Sequence, residues 1–142
     1  MMSCHKVLVG GCFDILHYGH VVFLKAARQE GDALIVALES DERIRLSKNR
    51  SPVHTQEQRA EILRALRYVD EVICLPLYTK DQEYFDFVTS VAPSIIATTA
   101  GDPQLSNKRA QAKQVGGKVT IVTPLLEDFS SSKILHLLGE GL

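Results

Sequence analysis

The chain has 142 residues, of which 45% are hydrophobic and 23% are charged, and its formal net charge is −1. This size and composition are typical of a single globular domain, residues 1–142, with a hydrophobic core of its own. The charge balance and the lack of any apolar run near roughly 18 residues argue against nucleic-acid-binding and membrane-spanning classes, and the three scattered cysteines fit a reduced, cytoplasmic protein.

The first predicted element is a strand over Lys6–Val9, and a helix is predicted over Gly19–Glu30. Between them lie the turn Gly10-Gly11-Cys12-Phe13-Asp14 and the run His17-Tyr18-Gly19-His20. Glycines let backbone N–H groups approach phosphate oxygens, and the start of a helix adds a partial positive charge. The two imidazoles can donate hydrogen bonds to a phosphorus centre as negative charge builds on it. Together these features predict a triphosphate site.

Each residue of this segment also has a simpler interpretation. Two histidines three residues apart are half of a metal site, but no acidic or cysteine partner lies at ligand spacing, so no protein-held metal is predicted. Cys12 is either a reactive thiol or a small residue whose backbone matters more than its sulfur. Asp14 either orders the turn or touches the nucleotide indirectly.

The rest of the chain alternates strands with helices. Further strands are predicted over Ala33–Leu38, Glu71–Leu75, Ser94–Ala97 and Lys118–Val122. Helices are predicted over Asp41–Leu46, from the capping box at Thr55 to Arg67, and over Thr79–Val91, Gln104–Val115 and Ser130–Leu138. This alternation predicts an α/β, Rossmann-like fold with a five-stranded parallel sheet and helices on both faces.

The expected ligand site lies beyond the carboxyl ends of the strands, where the strand order reverses. Because the glycine turn follows the first strand, that strand is expected to be central. The segment after the fourth strand should then face the histidines across a crevice. Its polar candidates are Thr98, Gly101 and Asp102.

Arg59 is the clearest second signal. It lies three and four residues before Ile62 and Leu63, on the apolar side of its helix and at the N-terminal end. An arginine there either packs its stem on the core with its head in solvent or clamps a phosphate. Position alone leaves both interpretations open.

Three polar segments are further candidates, each with a structural alternative. Lys48 and Arg50 lie on a polar loop that either closes over a triphosphate or is merely solvated. Asp41 either caps a short helix or lies near the acceptor substrate, and Arg50 is assigned to the acceptor side with it. The cluster Ser130, Ser131 and Ser132 either caps the last helix or binds a terminal phosphate.

Several segments together resemble the cytidylyltransferase-like nucleotidyltransferases, whose signature includes His-x-Gly-His. The similarity is strongest to heptose 1-phosphate adenylyltransferases and glycerol-3-phosphate cytidylyltransferases, with archaeal-type FAD synthetases nearby. The segments that carry it are Gly10–His20, Gly31–Asp41, Lys48–Pro52, Glu57–Arg59, Val69–Val72 and Ser130–Ile134.

The resemblance implies a role for each matching residue. It implies that His17 and His20 bind the nucleotide phosphates and stabilise the transition state, and that Lys48 and Arg59 hold the β- and γ-phosphates. It also implies backbone contacts to the nucleotide from Gly11 and Phe13, and phosphate contacts from Ser131 and Ser132.

The reaction implied is transfer of a nucleoside monophosphate from a nucleoside triphosphate to a small phosphorylated metabolite, with release of pyrophosphate. ATP is the expected nucleotide and a sugar phosphate is the expected acceptor. Mg²⁺ is expected to be bound through the nucleotide phosphates, with few protein ligands. The alternatives are a CTP-dependent enzyme acting on a polyol phosphate, an FAD synthetase, and a non-catalytic nucleotide sensor. The sensor is supported only by Thr98–Pro103, which replaces a Lys-Gly-x-Asp-Tyr segment of the heptose-type relatives. A homodimer is also expected, because relatives are often dimers.

Overall fold

The computed structural model describes residues 4–124 and 131–141, except for the side chains of residues 131–133 and 140–141. Within these residues the strands are β1 (Lys6–Gly11), β2 (Ala33–Leu38), β3 (Glu71–Cys74), β4 (Ile95–Thr99) and β5 (Lys118–Thr123). The helices are α1 (Tyr18–Arg28), α2 (Asp41–Lys48), α3 (Gln56–Arg64), α4 (Asp81–Val91), α5 (Leu105–Gln114) and α6 (Ser131–Gly141).

The described strands form one sheet in the order β3-β2-β1-β4-β5, and every neighbouring pair is parallel. The predicted fold class and the central position of the first strand are therefore confirmed. The strand order reverses at β1, because β2 lies on one side of it and β4 on the other. This is the position at which open α/β sheets bind their ligands.

Alternate residues of β1 face two hydrophobic cores on opposite sides of the sheet. Val7 and Val9 are fully buried in the core that contains residues of α1 and α3. Leu8 belongs to the other core, which contains residues of α4 and α5. A strand buried on both faces reads as a continuous apolar run, which explains why β1 and β2 were recognisable in the sequence.

Strand β1 continues beyond the residues that pair with β4, and the crevice opens at this point. The register with β2 covers all of β1, up to Gly10 opposite Ala37 and Gly11 opposite Leu38. The register with β4 covers Val7 and Leu8. The strand therefore continues two residues beyond its predicted end at Val9, and its glycines extend along β2.

Helix ends also differ from the sequence prediction in a way that matters for the site. Helix α2 continues to Lys48 and is closed by Asn49, whose φ of 51° is left-handed. Lys48 is thus held at a helix end and does not lie on a loop. Helix α3 stops at Arg64, before the predicted end at Arg67. None of the helices in the described part of the chain combines the length and the apolarity needed to cross a membrane.

Candidate active site

Two cavities open on either side of the turn that follows β1. The first, of about 450 Å³, lies between this turn, the start of α1 and the loop after β4. The second, of about 520 Å³, lies over β1 beside α4 and α5. We call them the histidine cavity and the tyrosine cavity, after His17 and His20 in the first and Tyr84 in the second. Residues common to both linings are Gly10, Gly11, Cys12 and Lys108.

The histidine cavity gathers most of the residues predicted to bind the nucleotide. They come from three separate stretches of the sequence: the glycine turn with the start of α1, the end of α2, and the loop after β4. The predicted residues in its lining are Gly10, Gly11, Cys12, Phe13, His17, His20, Lys48, Thr98, Gly101 and Asp102.

The two histidines form one unit at the start of α1. His17 is the N-cap residue, and its backbone N–H donates a hydrogen bond to Nδ1 of His20 at 3.3 Å. The two rings stack with their centroids 3.8 Å apart and their planes 22° apart. Because Nδ1 of His20 accepts a hydrogen bond, the proton of its neutral ring is on Nε2. The two histidines therefore occupy the N-cap and N3 positions of α1, and the N3 side chain accepts a hydrogen bond from the backbone N–H of the N-cap residue.

Both imidazoles are held neutral. Burial lowers the pKa of His20 to about 3, and the neighbouring His17 and Lys48 act in the same direction. Burial and Lys48 also lower the pKa of His17. The rings are therefore uncharged near neutral pH, and the ring of His20 also makes a backbone hydrogen bond with Ile15. The cationic side chains in the lining of this cavity are Lys48 and Lys108.

Phe13 and Gly11 shape the turn in front of the histidines. Phe13 has a left-handed φ of 45°, and its ring centroid lies 5.0 Å from that of His20. A Cβ added at Gly11 would lie 2.8 Å from the Phe13 ring, so the packing of Phe13 requires glycine there. A left-handed non-glycine residue is strained, and such strain persists where neighbouring packing enforces it.

Asp14 orders the turn and does not line either described cavity. Its buried carboxylate accepts hydrogen bonds from the N–H groups of Val53, at 2.9 Å, and His54, at 3.0 Å. Arg50 adds an ion pair at 2.7 Å. Burial alone would raise the pKa of Asp14, but the hydrogen bonds from Arg50, His54 and Val53 outweigh it and lower the pKa. Of the two interpretations of Asp14, the structure supports the ordering role.

Arg50 was predicted to bind the acceptor, and this role stays a prediction. In the structure Arg50 pairs with Asp14 and lies outside the described lining of both cavities. Since Asp14 is buried, its charge needs a cation within hydrogen-bond reach, and Arg50 supplies it.

Arg59 has no exposed surface and binds protein groups instead of solvent. Its Nη1 donates to the carbonyl oxygens of Cys12 and Glu39, both at 2.8 Å, and its Nε donates to that of His54 at 3.1 Å. Its Nη2 forms an ion pair with Asp41 at 2.7 Å. The guanidinium thus ties the ends of β1 and β2 to the loop before α3 and to the start of α2.

This arrangement bears on two predicted site residues. Arg59 lies outside the described lining of both cavities and its guanidinium binds protein groups, which supports a positioning role, while the phosphate clamp stays a prediction. Asp41 was assigned to the acceptor, but it pairs with Arg59 and lies outside the described lining of both cavities. The helical spacing correctly placed Arg59 on the buried side of α3, but it did not show what the guanidinium binds.

The loop after β4 carries a polar cluster that the sequence did not reveal. Thr98 donates from Oγ1 to Oδ2 of Asp102 at 2.6 Å, and Lys108 forms an ion pair with the same oxygen. The N–H of Gln104 donates to Oδ1 of Asp102 at 2.8 Å. Burial alone would raise the pKa of Asp102, but the bonds from Lys108, Thr98 and Gln104 outweigh it and lower the pKa. No motif marked Lys108, which comes from the first turn of α5.

The tyrosine cavity contains a second pair that sequence reasoning missed. The Oη of Tyr84 donates to Oε1 of Glu39 at 3.1 Å. Burial raises the pKa of both groups, and it raises that of Tyr84 to about 12 with a further contribution from the Glu39 charge. Arg43 also lines this cavity and donates to the carbonyl of Tyr78. Tyr84 and Arg43 lie in helices whose periodicity gave no sign of a ligand site.

Two of the predicted sites remain to be placed in the structure, Cys12 and the serine cluster of residues 130–132. Burial raises the pKa of the Cys12 thiol, which argues against a reactive thiolate. The backbone carbonyl of Cys12 accepts a hydrogen bond from Arg59, which supports the interpretation that its backbone matters more than its sulfur. Ser130 lies outside the described residues. Ser131 and Ser132 begin helix α6, where the structure describes the backbone alone.

Comparison with known proteins relates the chain to nucleotide-transferring enzymes. The profile of the cytidylyltransferase-like family matches residues 8–136. The chain is 50% identical over 92 residues to a protein named FAD synthase from Thermococcus kodakarensis, covering 65% of this chain and 60% of that protein. It is 37% identical over 140 residues to a FAD synthase from Pyrococcus horikoshii, covering 95% and 93%.

Two further similarities extend over most of the chain. The bifunctional protein HldE of Coxiella burnetii is 38% identical over 133 residues, which cover 92% of this chain but 27% of that protein. The crystal structure of a lipopolysaccharide core biosynthesis protein from Thermoplasma volcanium superposes with a TM-score of 0.69 at 25% identity, covering 87% of this chain and 97% of the other.

The switch-point crevice and the paired histidines, together with these similarities, define a nucleotidyltransferase domain with an adenylyl- or cytidylyltransferase type of site. The chain belongs to the cytidylyltransferase-like family, as the sequence resemblance indicated.

Replacing Arg59 with methionine is expected to destabilise the protein strongly. The change leaves Asp41 without its cation and three carbonyl groups without their donor, and breaking a buried ion pair of this kind costs about 3–5 kcal/mol. Urea denaturation of Arg59→Met measures the loss. The control is Arg67→Met, at an exposed arginine just after the same helix, which should change the free energy of unfolding by less than about 0.5 kcal/mol. Equal effects of the two changes would contradict the positioning role.

Stability should fall as the pH falls from about 6.5 towards about 3. The pKa of His20 is 6.5 in an unfolded chain and about 3 in the fold, so the unfolded state binds the extra proton in this window. Urea denaturation along a pH series measures the slope. His17, whose pKa is also lowered, adds to it, and Glu39, whose pKa is raised, opposes it. Below the ordinary aspartate value of 3.8, Asp14 and Asp102 also contribute. His20→Gln should flatten the slope, while His5→Gln at the exposed N-terminal end should not. An unchanged slope in His20→Gln would show that His20 is not held neutral.

Proposed function

We propose that the chain transfers the adenylyl group of ATP to the phosphate of FMN, forming FAD and pyrophosphate. Two relatives named FAD synthase support this acceptor, and one of them aligns along nearly its whole length. This chain spans 60% of the length of the other.

The tyrosine cavity carries the proposal. At about 520 Å³ it has the size of a small-molecule site, and it opens on the same glycine turn as the histidine cavity. Part of its lining is apolar and aromatic, which provides a surface on which a flat ring system can pack. The residues that provide this surface are Leu8, Leu75, Tyr84, Phe87, Val88 and Ile96.

The two cavities assign the substrates to opposite sides of the turn. The nucleotide is placed in the histidine cavity, with its triphosphate at the start of α1, and the flavin is placed in the tyrosine cavity. The reacting phosphates then meet at Gly10–Cys12, which lines both cavities. Holding the two reactants in line in this way supplies much of the rate enhancement without any covalent intermediate.

The transfer is a single displacement at the α-phosphorus. A phosphate oxygen of FMN forms the new P–O bond, and the bond to the oxygen that bridges to the β-phosphate breaks, so the electron pair leaves with pyrophosphate. The neutral rings of His17 and His20 donate hydrogen bonds to oxygens that gain charge in the transition state. Lys48, at the end of α2, supplies positive charge beside them.

Mg²⁺ is proposed to enter with the triphosphate. In the described part of the chain no three His, Cys, Asp or Glu side chains are grouped to hold a metal ion. Asp14 and Asp102 are each paired with a cation of the protein, and Glu39 accepts a hydrogen bond from Tyr84. Phosphate and water oxygens are the ligands that Mg²⁺ ordinarily uses in nucleotide sites, so the nucleotide itself would carry it.

A sugar phosphate is the second candidate acceptor, as the sequence resemblance implied. The similarity to HldE over 92% of the chain favours it, and the Glu39–Tyr84 pair offers hydrogen-bonding groups for hydroxyls. CTP in place of ATP, a homodimer and a cytoplasmic location stay predictions from the sequence.

Pyrophosphate release identifies the substrates directly. ATP and CTP, each with Mg²⁺, are crossed against FMN, sugar phosphates and polyol phosphates. We expect release with ATP and FMN, together with FAD as the second product on a chromatogram. Release with a sugar phosphate and not with FMN would replace the proposed acceptor by the second candidate.

His20→Ala separates an enzyme from a nucleotide sensor. Removing a hydrogen-bond donor that acts on the transition state lowers turnover by about 10²–10³-fold. The rate of pyrophosphate release should fall by this amount, while His5→Ala at the exposed N-terminal end should keep the rate of the parent protein. Nucleotide binding without any release in the parent protein would favour the sensor.

A further inference from the structure

Lys108 occupies a place that no other cationic side chain shares in the described part of the chain. It lines both the histidine cavity and the tyrosine cavity. Lys48 borders the first, whereas Arg43 and Lys80 border the second. The side chain of Lys108 is 25% exposed, so it is partly open to solvent.

The proposed reaction has an electrostatic problem at this junction. A phosphate monoester must approach the α-phosphate of a triphosphate, and like charges a few ångströms apart repel strongly where water is partly excluded. A cation placed between the two cavities offsets this repulsion. Arg43 already donates to the Tyr78 carbonyl, and Lys48 lies on the nucleotide side.

Lys108 is held in place before any substrate arrives. Its ammonium group contacts Oδ2 of Asp102 and Oγ1 of Thr98, the latter at 3.4 Å. Asp102 is fixed in turn by the Gln104 N–H, and its side chain is 10% exposed. An ammonium group has three N–H donors, so one remains for a phosphate oxygen while the other two keep their partners.

We propose that Lys108 receives the phosphate of the acceptor at the junction of the two cavities and thereby selects phosphorylated acceptors. This inference rests on the proposed function and deepens it. Lys108 gives up no proton in the transfer. Its ammonium group remains charged while the acceptor oxygen forms the new P–O bond and pyrophosphate leaves.

The test compares the binding of FMN with that of riboflavin, which has the same ring but no phosphate. Quenching of flavin fluorescence gives the Kd of each for the parent protein, Lys108→Met, Lys108→Arg and the matched control Lys113→Met on the exposed part of α5. Melting temperatures are measured for all four. Steady-state rates give KM for FMN and for ATP separately.

We expect the parent protein and Lys113→Met to bind FMN about 10- to 100-fold more tightly than riboflavin, the range for a charge-assisted hydrogen bond. Lys108→Met should lose most of this preference, because its Kd rises for FMN and not for riboflavin. Its KM should rise for FMN much more than for ATP. Lys108→Arg keeps the charge and should retain most of the preference.

Two results would overturn the inference. The first is a Lys108→Met protein that keeps the parent preference for FMN. The second is a parallel loss of FMN and riboflavin binding with a lower melting temperature, which a purely structural lysine would cause. A parent protein that binds neither flavin and forms no FAD would refute the proposed function, and the inference with it, so the two failures are distinguishable.

Discussion

The buried guanidinium of Arg59 is the interaction on which the geometry of the site depends. Four of its N–H donors reach the carbonyls that end β1 and β2, the loop before α3, and the carboxylate of Asp41. Backbone groups at strand ends lack ladder partners, and burying them unpaired is costly. Arg59 satisfies them from one point, so the glycine turn, the strand end at Glu39 and the start of α2 keep fixed relative positions. Asp14 acts similarly on the loop around His54.

The site combines uncharged donors with a few placed cations. His17 and His20 are kept neutral by burial and by the charge of Lys48, with His17 adding to the effect on His20, so they need no counterion from the protein. Lys48 lines the histidine cavity, and Lys108 lines both cavities. Asp14 and Asp102 are each paired with a cation, which limits their repulsion of an anion. Donors fixed in advance in this way need no reorganisation during transfer.

Local signals account for the parts of the site that were predicted correctly. The His-x-x-His spacing is the spacing of a helix cap, and the glycines follow a strand that is apolar on both faces, so the sequence alone places these residues at a strand-to-helix turn. The ion pairs of Arg50 and Asp41 were not foreseen from the sequence, because each joins charged groups that are far apart along the chain. Asp14 is 36 residues from Arg50, and Arg59 is 18 residues from Asp41. Such pairs leave no periodic pattern in either segment.

The order of strands and helices, the parallel sheet and the glycine turn before α1 were determined by the sequence itself, because hydrophobic periodicity and helix-start chemistry act over a few neighbouring residues. The fold decided the rest. Only packing shows that Arg59 is buried beneath the turn and that a tyrosine and a glutamate meet in a second cavity. The same packing brings Lys108 from α5 to the boundary of both cavities, since side chains far apart in sequence meet only when the sheet and its helices bring them together.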